Sequence, residues 1–263
     1  MLKKNVLTIA GADPSGGAGI QRDLKVFHDF GVNGLSVITA LTAQNQREVA
    51  AILPVSPAFV IKQVKTLLKE YDINVVKLGM LARADIVVSL ARLFKQVNFK
   101  KIIIDPIVVS SSGYPLLDKY GIIALKKQLL PFATIVTPNL HEAVVLSNMK
   151  KVSSMEEMKQ AAIEIKRLGP KFILVKGGHL KEAGDKGHPP QAEARGKKAV
   201  DILYDGREFK TLEAKMINKD VHGTGCILSS AIAACLAKGM QVEEAVKKSK
   251  QYTSKTIQQE CQI

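Results

Sequence analysis

Short apolar stretches alternate with longer amphipathic segments along most of this chain. The short stretches are mostly rich in Val and Ile and are bounded by Gly, Pro or Asp, a pattern typical of strands that are buried on both faces. They cover residues 6–10, 35–40, 75–78, 101–104, 134–137 and 172–175. Segments with helical spacing lie between them, at residues 21–30, 57–70, 84–96 and 155–168. This alternation predicts an α/β fold in which helices cover both faces of a mostly parallel sheet.

The pattern changes in the C-terminal third of the chain. Two strand-like stretches at residues 200–204 and 208–213 flank Asp205-Gly206, which predicts a β-hairpin with an Asp-Gly turn. Residues 181–198 before the hairpin are rich in Gly, Pro, Lys and Glu, and we expect a mobile surface loop there. Two helices are predicted to finish the chain. Since no internal repeat or linker interrupts this order, residues 1–263 are predicted to form one domain.

The composition is that of an ordinary globular protein, with 46% hydrophobic and 24% charged residues. No apolar run approaches the roughly 18 residues that a membrane span needs. The apolar stretch that follows Lys3 and Lys4 is too short for a signal peptide and leads directly into a glycine-rich loop. We therefore expect a cytoplasmic protein with no membrane partner. The three cysteines match neither a disulfide framework nor a zinc site, and Cys235 is predicted to lie in the core.

The chain is strongly basic, with a net charge of +14 from 38 basic and 24 acidic residues. Such a charge suits nucleic acids or phosphate-bearing ligands. The lysines are scattered, however, and the sequence has no run of five basic residues, no helix-turn-helix and no RNP-like segment. We predict no nucleic-acid partner and interpret the charge as a solvated surface that favours phosphate ligands. A basic nucleic-acid-binding module is the weaker alternative, and salt-sensitive binding of DNA or RNA would identify it.

The segment His222-Gly223-Thr224-Gly225-Cys226 precedes an apolar run and predicts a glycine turn that opens a helix. The unpaired backbone N–H groups and the positive end of the helix dipole make such a turn an anion site. At this position we expect the thiolate of Cys226 to be favoured, so that it acts as a base or nucleophile. An adjacent histidine suggests a Cys–His dyad, but neighbours at a turn usually point apart, which favours a turn or capping role for His222.

Specialised residues follow each predicted strand, at the edge where parallel sheets bind ligands. They include a glycine-rich loop at residues 11–19 and the segments 42–45, 79–80, 105–113, 138–139 and 176–179. The primary amide of Gln44 offers one acceptor and a donor pair, which suits a ring nitrogen beside an exocyclic amine; the alternative is a solvent-facing loop residue. Met80 is a pocket residue or simply part of the core.

Three further residues point to phosphate and metal chemistry. Lys176, followed by two glycines, suits phosphate neutralisation, with an ordinary loop lysine as the alternative. Asn139 and Glu142 have the i, i+3 spacing of one helix face, where they would hold Mg²⁺ directly or through water. A helix N-cap with a first-turn acid explains the same spacing equally well. The spacing alone leaves both interpretations open.

Taken together, these segments resemble the hydroxymethylpyrimidine/phosphomethylpyrimidine kinase family of thiamine biosynthesis, within the ribokinase-like kinases. The resemblance runs in order through residues 7–21, 37–45, 77–81, 105–106, 137–143, 175–179 and 222–226. It implies a three-layer αβα sandwich and a homodimer. It also implies ATP and Mg²⁺ as cofactors. The implied reaction is phosphorylation of 4-amino-5-hydroxymethyl-2-methylpyrimidine, followed by phosphorylation of the monophosphate to the diphosphate.

The resemblance also implies a role for each matching residue. Gln44 would bind the aminopyrimidine edge, with the Gly11 backbone, Asp23 and Met80 completing the pocket. An anion hole for the transferred phosphate would be formed by Gly223, Thr224, Gly225 and Cys226. Cys226 would stand where many ribokinase-like relatives carry an aspartate base. Lys176 would contact the ATP phosphates, while Asn139 and Glu142 would help to place Mg²⁺.

Two alternatives and three departures from the family pattern accompany this hypothesis. One departure is that the sequence ends at Ile263, without the Gly/His-rich tail of many relatives. A pyridoxal kinase on the same scaffold is the nearest rival, although pyridoxal has no amine beside its ring nitrogen for Gln44 to bind. A non-catalytic ligand-binding protein would use the same anion loop without consuming ATP. Ser111 replaces a residue that is often lysine or threonine in the family, which leaves the phosphate contacts of its loop open. The segment 181–198 is longer than usual, so we expect the nucleotide side to be covered differently.

Overall fold

The computed structural model of the protein describes residues 3–110, 113–178, 198–215 and 222–260. Its strands are β1 Asn5–Ala12, β2 Asn33–Gln44, β3 Val49–Pro54, β4 Ile73–Leu78, β5 Lys101–Ile104, β6 Ile135–Val136, β7 Phe172–Gly177, β8 Lys198–Tyr204 and β9 Phe209–Lys215. Its α-helices are α1 Gly19–Asp29, α2 Pro57–Leu68, α3 Ala84–Gln96, α4 Lys119–Ala124, α5 Leu140–Ser147, α6 Met155–Lys166, α7 Thr224–Ala237 and α8 Val242–Glu260. A π-helical turn at Leu125–Leu129 and a 3-10 turn at Leu130–Phe132 follow α4.

All nine of these strands belong to one sheet, in the order β3-β2-β1-β4-β5-β6-β7-β8-β9. The six central strands of this order, β2-β1-β4-β5-β6-β7, pair in parallel. The antiparallel strand β3 lies at one edge, and the hairpin β8–β9 lies at the other. The predicted mostly parallel sheet and the predicted C-terminal hairpin are therefore both confirmed. Gly206 in the hairpin turn has a φ of +103°, which explains why the turn carries glycine.

Successive residues of the central strands contribute to two separate cores, because side chains alternate between the faces of a strand. In β1, for example, Leu7 packs in one core and Val6 in the other. The first core is covered by α2 to α6, and the second by α1, α7 and α8. Helices thus cover both faces of the sheet, which confirms the predicted three-layer αβα arrangement. Cys235 of α7 is completely buried in the second core, as predicted.

Several elements differ from the sequence prediction. Strand β3 was not predicted, because it is an edge strand whose side chains are mostly exposed and which lacks a Val/Ile-rich run. Strand β2 is longer than predicted and ends at Gln44, which pairs with Val49; Gln44 is therefore a strand residue rather than a loop residue. The short helix α4 was also missed. It begins at an Asp118 cap and is followed at once by irregular turns, so the segment has too little helical periodicity to detect.

Some predictions fall on residues outside the described ranges. They concern Ser111, His179, Cys261 and nearly all of the loop 181–198, of which the structure describes only Lys198, at the start of β8. In the part of the chain that the structure describes, no helix is both long and apolar enough to cross a membrane.

Helix α7 begins at a glycine turn, as the sequence predicted. Its N-cap Gly223 has a φ of +82°, a conformation that favours glycine. A Cβ added there would lie 1.9 Å from the carbonyl oxygen of Gly17, so a side chain at this position would collide with the backbone of the glycine-rich loop. Nearly every residue of α7 is buried between the sheet and the helices α1 and α8. The packing therefore fixes the N-terminus of α7 against the glycine-rich loop that follows β1.

A buried ion pair joins α1 to the centre of the sheet. The Nζ atom of Lys77 in β4 lies 2.9 and 2.8 Å from the two carboxylate oxygens of Asp23, and both side chains are completely buried. The same carboxylate accepts hydrogen bonds from Thr8 of β1, at 2.5 Å, and Ser230 of α7, at 2.7 Å. Burial alone would lower the pKa of Lys77, but the nearby Asp23, Cys226 and Asp105 raise it above its usual value. Lys77 is therefore a permanent buried cation.

We expect Lys77→Met to be strongly destabilising, because it leaves the buried carboxylate of Asp23 without its cation. Loss of one partner of a buried pair costs about 3–5 kcal/mol in the free energy of unfolding. Urea unfolding would show the loss, and Lys100→Met, at an exposed position, is the matched control. Adding Asp23→Asn to Lys77→Met should recover part of the stability, since it neutralises the stranded charge. Equal stability of Lys77→Met and wild type would contradict this assignment.

Candidate active site

A cavity of about 830 Å³ lies at the edge of the sheet where the parallel strands end. The predicted residues Gly11, Gln44, Met80, Asn139, Glu142, Lys176, Gly223, Thr224, Gly225 and Cys226 all line it. The structure thus brings every predicted site residue except Asp23 to one cavity. Whether these residues bind the groups that the resemblance assigns to them stays a prediction.

The glycine-rich loop after β1 is held together by the carboxylate of Asp13. One oxygen accepts from the backbone and hydroxyl of Ser15, at 2.9 and 2.7 Å, and the other from the Ala18 amide, at 2.8 Å. The second oxygen also lies 3.0 Å from Nε2 of His222. Burial alone would raise the pKa of Asp13, but these hydrogen bonds lower it below its usual value. Gly19 ends the loop with a φ of +60°, and a Cβ there would lie 2.5 Å from the Gly11 carbonyl.

Gln44, Met80 and Gly11 form one side of the cavity. The half-buried Gln44 amide contacts the hydroxyl of Thr42 at 3.3 Å and Nε2 of His222 at 3.0 Å. Met80 is 7% exposed, and its sulfur would lie 3.0 Å from a Cβ added at Gly11. Glycine at position 11 therefore leaves the backbone of β1 open to the cavity beside the thioether. This side offers the Met80 thioether and the exposed β1 backbone together with the Gln44 amide, which suits a small aromatic ring.

Asp23 does not lie in the cavity wall, contrary to the prediction that it completes the pyrimidine pocket. Its carboxylate is fully buried and receives hydrogen bonds from Lys77, Thr8 and Ser230. Since both oxygens already have two donors, Asp23 has no accessible lone pair for a ligand. Its contribution to the site is to hold Lys77 in place. Lys77, unlike Asp23, does line the cavity.

The N-terminus of α7 forms another part of the cavity wall, next to two charged groups. A Cβ added at Gly225 would lie 3.1 Å from Nζ of Lys176 and 3.4 Å from a carboxylate oxygen of Asp105. Glycine therefore lets the Lys176 ammonium approach the helix backbone closely. An anion at this N-terminus would meet backbone N–H groups, the helix dipole and a lysine together.

The expectation that the Cys226 thiolate is favoured is wrong for the ligand-free protein. Burial raises the pKa of the Cys226 thiol to about 11, and Asp23 and Asp105 add to the effect. Lys77 and the backbone N–H of Gly19 act in the opposite direction but do not compensate. Loss of solvation outweighs the helix N-terminus at this position, and the thiol is protonated at neutral pH. Cys226 is 5% exposed, yet it lines the same cavity as Gln44.

Lys176 belongs to a buried group of charges at the ends of β5, β6 and β7. Its Nζ lies 3.0 Å from Asp105, which also accepts from the hydroxyls of Thr137 and Ser229 at 3.1 and 3.2 Å. Burial alone would lower the pKa of Lys176, but Asp105 and Glu142 raise it above its usual value. Burial alone would raise the pKa of Asp105, but Lys176 and Lys77 lower it. Both groups are therefore charged.

Asn139 and Glu142 form a capping box at the start of α5. The Glu142 amide donates to the Asn139 side chain, and the Asn139 amide donates to the Glu142 carboxylate, both at 2.8 Å. Burial raises the pKa of Glu142 to about 7. The helix-capping interpretation of this pair is thus present in the structure. Each oxygen keeps a further lone pair for a metal-bound water, so the donor chemistry also fits a magnesium ion held through water.

Direct magnesium coordination by a closed set of protein ligands has no support in the described ranges. Within residues 3–110, 113–178, 198–215 and 222–260, no group of three or more His, Cys, Asp or Glu residues is arranged to hold a metal. An ion at this site would therefore take most of its ligands from water and from a phosphate-bearing substrate.

Several residues of the site were not assigned a role from the sequence. Lys77, Asp13 and Asp105 are charged residues in or directly after apolar strands, a signal that could have identified them as buried ion-pair partners. The contact between His222 and Gln44 joins residues that are 178 positions apart, and no local pattern reveals it. The ion pair between Lys250 and Asp201, at 2.5 Å, lines the far end of the cavity and was likewise missed.

Comparison with known proteins identifies relatives over nearly the whole chain. The phosphomethylpyrimidine kinase family model matches residues 13–263. A putative hydroxymethylpyrimidine/phosphomethylpyrimidine kinase of Schizosaccharomyces pombe is 43% identical over 91% of this chain and 44% of its own length. A hydroxymethylpyrimidine/phosphomethylpyrimidine kinase of Rhizobium meliloti is 42% identical over 95% of this chain and 89% of its own length. The chain spans about half the length of the S. pombe protein and of two bifunctional thiamine-biosynthesis relatives.

Solved structures show the same similarity. A phosphomethylpyrimidine kinase from Clostridium difficile has a TM-score of 0.81 at 40% identity, covering 97% of this chain and 100% of that chain. A pyridoxal kinase from Staphylococcus aureus, in complex with AMP-PCP and pyridoxal, has a TM-score of 0.83 at 33% identity, covering 97% of this chain and 87% of that chain. The family match, the sequence identities and the shared fold together show that this chain belongs to the phosphomethylpyrimidine kinase family.

Proposed function

We propose that the protein uses ATP to phosphorylate 4-amino-5-hydroxymethyl-2-methylpyrimidine and then phosphorylates the monophosphate to the diphosphate, in thiamine biosynthesis. The observation that carries this proposal is one cavity with Gln44 on one side and the N-terminus of α7 beside Lys176 on the other. The first side suits an aminopyrimidine, and the second suits a phosphate in transfer. Relatives at similar length that are named as this kinase support the same reaction.

The N-terminus of α7 is the proposed anion hole for the transferred phosphoryl group. Backbone N–H groups at Gly223, Thr224, Gly225 and Cys226 would donate to its oxygens, and the helix dipole would add to the stabilisation. Both steps transfer a phosphoryl group to an oxygen, either of the alcohol or of the monophosphate. One fixed set of donors therefore serves both reactions, and the catalytic contribution is positioning and electrostatics.

Lys176 is the proposed contact for the ATP phosphates, with Asp105 holding its ammonium in place. Thr253, Ser254 and Ile257 of α8 also line the cavity, and we propose that the nucleoside lies against them. Mg²⁺ would neutralise phosphate charge when it is bound. Asn139 and Glu142 would hold it through water, with their remaining lone pairs as acceptors.

Cys226 is the proposed base or orienting group for the substrate hydroxyl. A direct in-line transfer needs no covalent intermediate, so we do not assign a phosphocysteine. Because burial raises the pKa of the Cys226 thiol to about 11, we propose that the sulfur acts as a base only once a bound substrate has lowered that pKa. Lys77 is the cation that favours the thiolate, and it stays charged throughout.

We expect Cys226→Ala to lower kcat by about 10²- to 10³-fold, as is typical for the loss of a general base, and to change KM little. Steady-state assays with the pyrimidine alcohol and Mg-ATP would measure both constants. Cys235→Ala is the matched control, because Cys235 lies on the same helix but in the second core. Recovery of a phosphocysteine, or an unchanged kcat in Cys226→Ala, would contradict the proposed role. No turnover of either the alcohol or its monophosphate by wild type would contradict the proposed function itself.

Gln44 is expected to set the preference for the aminopyrimidine. Gln44→Met should weaken binding of the pyrimidine and shift the preference towards pyridoxal, because the variant loses the amide that pairs with the amine and the ring nitrogen. Competition between the two substrates would measure the shift. Gln160→Met, on the exposed face of α6, is the control. If Gln44→Met has the same selectivity as wild type, the assignment of Gln44 to the pyrimidine pocket is contradicted.

Glu142 should make the stability of the protein depend on pH. Its pKa rises from 4.5 in the unfolded chain to about 7 in the fold, so the folded state binds more protons between these values. The free energy of unfolding therefore falls as pH increases through this range, by on the order of 3 kcal/mol. Glu142→Gln keeps the capping acceptor but does not ionise, so it should abolish this fall.

Urea unfolding of Glu142→Gln between pH 4.5 and pH 8 would measure this effect, with the exposed Glu156→Gln as control. The same variant should need more Mg²⁺ for half-maximal activity if Glu142 holds the ion. Parallel stability curves for wild type and Glu142→Gln would contradict the raised pKa, and an unchanged Mg²⁺ requirement would contradict the metal role.

Two other functions make different predictions. A pyridoxal kinase is favoured by the similarity to the S. aureus enzyme, and it would turn over pyridoxal in preference to the pyrimidine. A non-catalytic binding protein would bind the pyrimidine and nucleotide without consuming ATP. We further propose that the protein acts in the cytoplasm, where ATP is available. The homodimer that the family suggests also stays a prediction.

A further inference from the structure

His222 lies between the two sides of the cavity and has no role in the proposed reaction so far. Its Nε2 atom lies 3.0 Å from Asp13 and 3.0 Å from the amide of Gln44. Its side chain is 19% exposed, and that of Asp13 is 3% exposed, so water competes little for these contacts. Asp13 comes from the loop after β1, His222 from the turn before α7 and Gln44 from the end of β2. These two contacts therefore join three segments that are remote in sequence.

The hydrogen-bonding roles in this group follow from Asp13. Its lowered pKa and its hydrogen bonds from Ser15 and Ala18 show an ionised carboxylate, which only accepts. Nε2 of His222 must therefore carry a proton and donate it. A protonated ring nitrogen cannot also accept a hydrogen bond from the Gln44 amide nitrogen. Only the amide oxygen of Gln44 can face this N–H favourably, and a half-turn of the amide group brings it there.

The contact of the Gln44 amide with Thr42 favours the same orientation. The hydroxyl of Thr42 donates to the Ala12 carbonyl at 2.9 Å, so it has only lone pairs left for Gln44, which lies 3.3 Å away. The amide nitrogen of Gln44 can donate to one of those lone pairs. The amide oxygen in the same position would instead face the hydroxyl oxygen of Thr42, which is another acceptor. Asp13, His222 and Thr42 thus all favour one orientation, with the oxygen towards His222 and the nitrogen towards Thr42. We call these three residues, together with Gln44, the amide lock.

The position of the His222 ring is itself fixed by close packing. A Cβ added at Gly17 would lie 2.5 Å from Cδ2 of the ring, and one added at Gly223 would lie 1.9 Å from the Gly17 carbonyl oxygen. The glycine-rich loop therefore packs directly against both His222 and the residue that follows it. The ring has little freedom to turn away from Gln44 while this loop keeps its conformation.

We propose that Asp13 and His222 are positioning residues that fix the Gln44 amide in the one orientation that recognises an aminopyrimidine. The amide oxygen keeps one lone pair for the exocyclic amine, and the amide nitrogen keeps one N–H for the ring nitrogen. The identity of this ligand rests on the proposed function. With the amide fixed, the ring binds in a single orientation, so the hydroxymethyl group is directed consistently. A 4-oxo pyrimidine has the opposite pattern, with an acceptor carbonyl beside a ring N–H, and the locked amide rejects it.

The test compares 4-amino-5-hydroxymethyl-2-methylpyrimidine with its 4-oxo analogue in wild type, His222→Leu and His222→Gln. Isothermal titration without nucleotide would give a Kd for each compound. We expect His222→Leu to lower the amino-to-oxo preference about tenfold, because its Gln44 amide can turn to match the oxo compound. His222→Gln should keep most of the preference, since a glutamine amide nitrogen replaces the Nε2 donor. If His222 had a purely structural role, His222→Leu would weaken the binding of both compounds equally. An unchanged ratio of the two Kd values would therefore overturn the proposal.

A ligand-free measurement separates this inference from the proposed function. In ¹⁵N NMR spectra of the unliganded protein, we expect a proton on Nε2 of His222, assigned by its absence in His222→Gln. The Gln44 side-chain amide signals, assigned with Gln44→Met, should move in His222→Leu and stay near their wild-type positions in His222→Gln. An unprotonated Nε2, or Gln44 signals that do not move in His222→Leu, would overturn the amide lock. Failure of wild type to bind either pyrimidine would instead overturn the proposed function.

Discussion

The site depends on a cation that has no contact with bulk water. Lys77 is completely buried at the end of β4, and its pairing with Asp23 joins the sheet to α1, while Thr8 and Ser230 extend the same contact to β1 and α7. A buried charge must be paired, so the positions of these four elements relative to one another are constrained. These elements carry the glycine-rich loop, the Met80 side of the cavity and the anion loop. The ion pair is therefore the part of the core on which the geometry of the cavity depends.

The other buried charges of the site are paired in the same way. Lys176 is matched by Asp105, so a negatively charged phosphate that enters here does not meet an unpaired lysine. The additional attraction would come from the backbone N–H groups at the start of α7, which are neutral and need no counter-ion. Cys226, at the first turn of the same helix, nevertheless has a raised pKa, because burial removes the solvation of its thiolate and the carboxylates of Asp23 and Asp105 add to the effect. The dipole stabilises best an anion that lies on the helix axis beyond the N-terminus.

The fold and much of the site could be predicted from the sequence, for identifiable reasons. The parallel strands are Val/Ile-rich runs, mostly ended by Gly or Asp. Gly223 is required because the Gly17 backbone lies close to it, and Gly225 because the Lys176 ammonium does. Local patterns of this kind are visible along the chain. Strand β3 was missed because its exposed side chains give no burial pattern. The placement of Asp23 and the protonation of Cys226 depend on burial and on neighbours from other elements, which sequence spacing does not contain.

The similarity to both pyrimidine and pyridoxal kinases has a physical explanation in this arrangement. On the proposed function, the N-terminus of α7, Lys176 and the paired acids would contact only phosphate and its metal ion, so they would serve any small aromatic alcohol that reaches the cavity. On the proposed function, discrimination would then come from Gln44, whose amide lines the same cavity as Met80. A primary amide discriminates by the order of its donor and acceptor, and that order is meaningful only when the amide cannot turn. On the proposed function, selectivity would therefore depend on the residues that hold the glutamine as much as on the glutamine itself.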